Sequence, residues 1–433
     1  MKMSTKIFLF LFFVAYVFPG ADCTAQQAVK KKGSYLEKYA NGKKKLEGNF
    51  ADYLKQGEWK SFDETGNLIK LESFNNGLWD GKYQEWFESG KPKVSGFYVS
   101  GKRSGLWTIW NSQGGVLSKT LFSADKPDGD YQKWYPNGNL EESYVYRNGL
   151  RDGRFVKWYQ NGKTKEDGAY REDKKEGTWT KWDESGSLES IKSYRDDRKE
   201  GLSSSYEKGI KIEEIIYNNG RKEGNYTKYY IDGSIKEKGK YENDHHDSLR
   251  EKWYENGRLF EQAFYLDGKE EGISRTWYPD GALKEQQFYV NGKLDSTSME
   301  YYPSGKRKFM MNYHKGKQQG EFITWHESGK IQMQCRYERN RRTGQLIAYY
   351  PDGKKEKEIY YDDGEMDGLY LEFFPNGKRK IQRTFERGTP TGMYYEWDDR
   401  GKLVKTGTSE QFSGEIEASS DPAMLEGSDP TKE

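Results

Sequence analysis

The sequence predicts an all-β fold, an elongated single-layer antiparallel β-meander of about sixteen 24-residue hairpin repeats. Three observations carry this expectation. Sixteen marker glycines run from Gly42 to Gly401, with fourteen intervals of 24 residues and one of 23. A fixed period of that size is the mark of one small unit stacked on copies of itself. Hydrophobic residues are only 33% of the chain, yet aromatics reach 16% and mean hydropathy is −1.11. Disordered chains lack aromatics, so the chain folds, but without a thick aliphatic interior. Finally, each period holds two short aromatic-rich runs separated by two turn signals, which suits strands and is too short for a typical helix.

The first turn is the best specified. Gly138, Gly162, Gly257, Gly281, Gly353 and Gly377 each close it, and in Tyr135-Pro136-Asn137-Gly138 or Phe374-Pro375-Asn376-Gly377 the chemistry is explicit. Proline presets φ, Asn or Asp follows, and glycine accepts positive φ. This reads as a three-residue hairpin loop, a type I turn closed by a glycine bulge. The second turn appears as Asn148-Gly149, Asp267-Gly268, Asn291-Gly292 and Asp363-Gly364, and a further glycine usually follows fifteen residues after each marker; Ser248 and Ser296 depart from this.

Aromatic columns accompany the turns. Four residues before the marker stands a Trp-rich column with Trp86, Trp110, Trp134, Trp158, Trp182, Trp253, Trp277, Trp325 and Trp397; eight after it stands a Tyr/Phe column including Tyr146, Tyr170, Tyr265 and Tyr289. A looser column, seven before the marker, holds Trp59, Trp107, Phe155, Trp179 and Phe322 but also Arg250, Ser274 and Ser298. A three-residue loop pairs Trp253 with Leu259 and Trp277 with Leu283. Uninterrupted alternation then places the two strict columns together on the packed face and the loose column on the other, as the candidate contact surface. A two-residue loop would reverse that assignment. Gly48, Gly96, Gly168 and Gly239 lie two residues before a column aromatic, leaving room for a ring to cross the backbone.

The termini differ from the array. Lys2 and Lys6 followed by the apolar run Ile7 to Phe18 and Pro19-Gly20 read as an export signal over residues 1–25, with a linker at 26–32, the array at 33–407 and an acidic, disordered tail at 408–433. The expected destination is periplasmic, outer-surface or secreted. Asp22 before Cys23 argues for plain cleavage over a lipoprotein. No transmembrane span is expected, and Cys335 alone leaves no disulfide framework. Net charge is +2; loss of Lys2, Lys6 and Asp22 takes it to +1, and the seven acids and one lysine of 409–433 leave the repeat body near +7. Spread over hundreds of residues this is no nucleic-acid footprint.

The run Tyr146 to Lys163, of the form Tyr-x-Asn-Gly-x-x-x-Gly-x-x-x-x-Trp-Tyr-x-Asn-Gly-Lys, resembles the MORN repeat in its bacterial variant form. The resemblance covers nearly the whole array and implies a single elongated sheet of hairpins. Bacterial chains with such repeats are grouped with antitoxins of toxin–antitoxin pairs, and the repeat motif brings no catalytic residues. His245-His246, Asp196-Asp197 and Asp398-Asp399 fall in turns, where solvated turn chemistry outweighs a metal or catalytic site; no nucleophile stands beside a base. The expectation is therefore a non-catalytic exported binding or scaffold protein for a protein or cell-envelope partner, without cofactor or metal. The alternatives are an antitoxin-like partner neutralising a toxin by direct binding, a glycan ligand stacked on the rings, and, least favoured, a secreted hydrolase.

Overall fold

A computed structural model describes residues 32–409. The expected signal (1–25), most of the linker and the tail from 410 onward lie outside these residues. The described chain is all-β, with 34 strands between Lys32 and Thr408. Two of the breaks are interruptions, at Glu271 and Asp295, where the backbone N–H groups still donate to Phe264 and Phe288. Sixteen hairpins thus account for all the strands, one per marker glycine. Strands pair antiparallel with their sequence neighbours, as in Leu150–Trp158 with Thr164–Arg171 and Thr164–Arg171 with Lys174–Trp182. The chain divides into two compact units, one running to Asn139 with Tyr146–Gly149, the other Leu140–Val145 with the residues from Leu150 onward. Each is a meander of the same hairpins.

The turns match their sequence chemistry. At the first turn Gly162 N–H donates to Tyr159 O (2.9 Å), Tyr159 N–H to Lys163 O (2.8 Å), and Gly162 takes φ +86°. That is the type I turn with a glycine bulge. The second turn is a two-residue type I′ turn, with positive φ at both residues: 52° and 90° at Asn148-Gly149, 49° and 67° at Asp196-Asp197. Type I′ matches the right-handed twist of the strands it joins. The one 23-residue interval also finds its cause here. Lys208-Gly209 (φ 49° and 80°) closes a two-residue turn between Glu207 and Ile210 where every other marker closes a longer loop.

The expected pairing holds: Trp253 faces Leu259 and Trp277 faces Leu283. The expected division of faces does not. One residue beyond the turn the register slips, so that Trp158 faces Thr164 but Lys157 faces Glu166, leaving Lys165 bulged out. A bulge advances the alternation by one residue. Phe155, Gly168 and Tyr170 therefore share one face, and Trp158 lies on the other. Ring contacts confirm it: Phe155, Tyr170 and Trp179 lie 5.0–5.5 Å apart, centroid to centroid.

The loose column is thus the core. Trp59 is 1% exposed and Trp179 3%, with Trp107 and Phe155 also buried. Each tryptophan reaches that depth at a second bulge. Ala169 faces Glu176 and Asp167 faces Thr180, so Gly177, Thr178 and Trp179 stand against Gly168 alone. The indole of Trp179 lies across Gly168 and donates from Nε1 to Ala169 O (3.1 Å). Trp59 does the same over Gly48, donating to Asn49 O, and Trp107 over Gly96, donating to Phe97 O. The room anticipated beside these glycines is filled by rings from the following hairpin. Basic side chains cover the rings from outside, Lys175 at 3.8 Å from Trp179, Arg151 at 3.9 Å from Tyr170 and Lys55 at 4.5 Å from Trp59. In a single layer, cation–π contacts of this kind take the place of a second layer's packing.

Candidate binding surfaces

The ring-bearing face holds Trp59, Trp107, Phe155, Trp179 and Phe322, together with Tyr146, Tyr170, Tyr265 and Tyr289. Phe322 packs on Phe309 and Tyr337, beside the buried Cys335 and Leu346. These five residues were the expected contact surface; the burial of Trp59, Trp107, Phe155 and Trp179, and the packing of the half-buried Phe322 against core residues, remove them from that role. Arg250 in the same column signalled solvent in the sequence. It instead ion-pairs with Glu261, both side chains being 15% exposed, and stacks 4.6 Å from Tyr265. Ser298 is buried opposite Met311, itself 1% exposed, so a long flexible side chain fills the space that a ring takes elsewhere.

The opposite face carries the Trp-rich column. Trp86, Trp110, Trp134, Trp158, Trp182, Trp253, Trp277 and Trp397 are half-buried, and Trp325 is buried. Lys119 sits over Trp134, Lys238 over Trp253 and Arg307 over Trp325 at 5.0–5.9 Å. On the same face of the strands, nearer the type I′ turns, stand exposed apolar side chains: Leu106 faces Leu121 in the first unit, and in the second Leu202 faces Ile216, Leu249 faces Phe264 and Ile273 faces the half-buried Phe288. Leu249, Phe264 and Ile273 are 43–45% exposed on consecutive hairpins.

One device escaped the sequence reading. The tyrosine three residues before the marker clasps the next hairpin. Tyr159 Oη donates to Trp182 O (2.9 Å), Tyr254 to Trp277 O (2.7 Å) and Tyr350 to Phe373 O (2.8 Å), while His326 Nε2 sits 2.9 Å from Tyr349 O in the same position. The turn asparagine and the lysine after the marker reach the same way, Asn161 Nδ2 to Glu184 O, Asn376 Nδ2 to Asp399 O and Lys91 Nζ to Gln113 O. The Tyr-x-Asn-Gly-Lys spacing is therefore a ladder in which each turn satisfies carbonyls of the next. Its signal was present in the recurrence of Tyr at that offset. Tyr254→Phe should cost about 1 kcal/mol, seen as faster amide exchange confined to hairpins beside Trp277. A uniform change across the chain would refute the clasp.

The titratable groups of interest are dispersed. Asp197 Oδ1 accepts Lys175 N–H and Asp398 Oδ1 accepts Arg400 N–H, as turn carboxylates do. The expected solvated-turn role of His245-His246 needs correction at His246. It is half-buried and stacked 4.5 Å from Tyr241, and burial pushes its imidazole pKa down. Among the described residues no three His, Cys, Asp or Glu side chains converge as metal ligands. Along the ring face Lys228, Glu237, Lys252 and Glu261 alternate on facing strands. The series ends where Glu285 faces Glu300, and burial, then the Glu300 charge, push the Glu285 carboxyl up. A raised carboxyl stabilises the fold below its unfolded pKa, and that contribution is lost as pH rises through the folded value. Glu285→Gln should thus gain about 1 kcal/mol at pH 7, the advantage shrinking toward pH 4 in urea midpoints. An advantage independent of pH would rule out charge repulsion as its source.

Eight segments match the MORN repeat variant family: residues 55–76, 79–100, 127–148, 175–196, 270–291, 318–339, 342–363 and 366–387. Eight of the hairpins are thus similar to the MORN repeat variant, over segments that together make up less than half of the chain. Each match spans one strand, the three-residue loop and the next strand. The hairpin Leu150–Trp158/Thr164–Arg171 lies outside these matches and has the same register as the matched Lys174–Trp182/Leu188–Arg195, so this hairpin geometry is not confined to the matched copies. No curated protein matches the chain. Among solved structures, the TcdB2-TccC3 crystal structure is 11% identical over 87% of this chain and 25% of its own, with a TM-score of 0.15. The Photorhabdus luminescens Tc holotoxin pore carrying TccC3-D651A is 12% identical over 89% and 24%, with a TM-score of 0.14. The chain spans about a quarter of each. Among the described residues no helix is long and apolar enough to cross a membrane.

Proposed function

We propose that this is a non-catalytic exported repeat protein that acts as a binding or scaffold surface, holding a protein or cell-envelope partner on its indole-bearing face. The observation that carries the reading is the exposed apolar row Leu249, Phe264 and Ile273, on the same face as the half-buried Trp253 and Trp277. Contiguous exposed apolar side chains mark interaction sites, and tryptophan is enriched among residues that carry binding energy. The MORN-type repeats support a surface of this kind, and the export signal read at residues 1–25 supports an envelope or extracellular partner.

The test uses the full chain and its Leu249→Asp/Phe264→Asp double variant. Both side chains already face water, so the variant should keep its β-sheet circular dichroism. Recovery of a specific envelope protein by the wild type should fall at least about tenfold in the variant, the equivalent of about 1.4 kcal/mol. Undiminished recovery would reject this face. Relief of a toxin's effect on co-expression in the cytoplasm would favour direct toxin neutralisation and overturn the exported reading.

A further inference from the structure

The type I′ turns form an edge whose charge is strongly uneven. Three successive turns in the second unit, residues 290–294, 314–318 and 338–342, hold Lys293, Lys315, Lys317, Arg339, Arg341 and Arg342 against the single acid Glu338. The next turn is acidic, with Asp362, Asp363 and Glu365, and takes up Arg341 in an ion pair with Asp363. Lys293, Lys315, Lys317 and Arg339 are exposed and make no ion pair among the described residues.

The turn conformation shows that this charge is built in at a cost. Lys315 and Arg339 occupy the left-handed first position of their turns, φ 52° and 50°, where Asn, Asp or Gly is favoured. Carboxylates cap most turns of this edge, Glu200 and Glu223 accepting the N–H of Asn219 and Asn243, and two of the three basic turns keep one, with Glu271 accepting Asn291 N–H and Asp295 a backbone bond from Lys315. At the third, Gln319 Oε1 accepts Arg339 N–H instead, so there the hydrogen bond is kept and the negative charge withdrawn.

The described chain ends at this edge. Its last strand, Leu403–Thr408, starts at the three-residue loop and runs toward the type I′ side, where Thr408 faces Met393 and Ser409 Oγ donates to Thr391 O. The sequence continues for residues 410–433, with Glu410, Glu415, Glu417, Asp421, Glu426, Asp429 and Glu433 against Lys432. Seven strand steps separate Leu403–Thr408 from Lys317–Trp325, about 34 Å at the usual strand spacing. A segment of that length reaches up to about 80 Å. We propose that the turn edge bearing Lys293, Lys315, Lys317 and Arg339 is an anion-docking surface whose occupant is the chain's own acidic segment, residues 410–433. Tethering gives the segment an effective concentration on the order of millimolar, so an external acidic partner must displace it. The edge is separate from the apolar row, and the proposal stands or falls independently of that face.

The experiment is zero-length carbodiimide cross-linking of the full chain, which joins carboxylates to lysines in contact, read by mass spectrometry on a mixture of isotopically light and heavy copies. At low salt, cross-links from 410–433 should fall on Lys293, Lys315 and Lys317 about tenfold more often than on exposed lysines such as Lys102 and Lys174. They should be light–light or heavy–heavy. They should drop about tenfold at 1 M salt, where screening acts within about 3 Å, and in a Lys315→Glu/Arg339→Glu variant whose circular dichroism is unchanged. Cross-links spread in proportion to lysine exposure, insensitive to salt, or formed only between copies would overturn the proposal.

Discussion

Gly168→Ile is expected to destabilise its hairpins by about 3 kcal/mol, the upper range for forcing extra atoms into a filled site. A Cβ on Gly168 would lie 2.3 Å from Trp179 Cδ2 and 2.5 Å from Cε2, and one on Gly96 would lie 2.2 Å from Trp107 Cδ2. Those are atoms of rigid rings wedged between neighbours, with no flexible end to swing aside. Trp179→Tyr alone should cost about 2 kcal/mol, as a large-to-smaller change that leaves a gap. The double variant should recover much of the loss, because the chain already contains that combination. Ile215 occupies the place of Gly168 and Tyr226 the place of Trp179, both buried in one cluster. A coupling energy of 1 kcal/mol or more is expected from the cycle, measured by urea unfolding followed by circular dichroism. Strict additivity would show that ring and glycine do not share the space.

That pairing bears on what the sequence discloses. The 24-residue period, the three-residue loop and the opposition of Trp253 to Leu259 followed from glycine and proline chemistry alone, since local turn geometry fixes them. The faces did not follow. Nothing in the identity of Lys165 marks it as bulged, and one unmarked residue reverses every side chain beyond it. Arg250 and Ser298 misled for a related reason. A polar residue in a column signals water only when its partners are unknown, and here the partners, Glu261 and Met311, sit on neighbouring strands. The tyrosine clasp was legible in principle, because its offset recurs with the marker glycine. Its meaning required knowing that carbonyls such as Trp182 O lie within reach of the preceding turn.

Removing Arg250 should be among the most damaging single changes on the ring face. Arg250 takes the place that Trp59, Trp107 and Trp179 take elsewhere, following Gly239 as they follow Gly48, Gly96 and Gly168. Burial pushes the Glu261 carboxyl up, but the hydrogen bonds and charges of Arg250 and Lys252 outweigh it and hold the group below the usual carboxylate range. A depressed carboxyl stabilises the fold above its unfolded pKa, and the contribution is lost as pH falls through the folded value. Arg250→Ala leaves Glu261 with only Lys252, at 3.0 Å, in a site largely closed to water. A cost of about 3 kcal/mol at pH 7 is expected, most of it the penalty of the abandoned charge. Arg250→Ala/Glu261→Gln should therefore be more stable than Arg250→Ala alone, and its urea midpoint should vary less between pH 3 and pH 7 than that of the wild type. If the second substitution adds to the damage instead, packing of the guanidinium on Tyr265, and not charge, holds the two strands of this hairpin together.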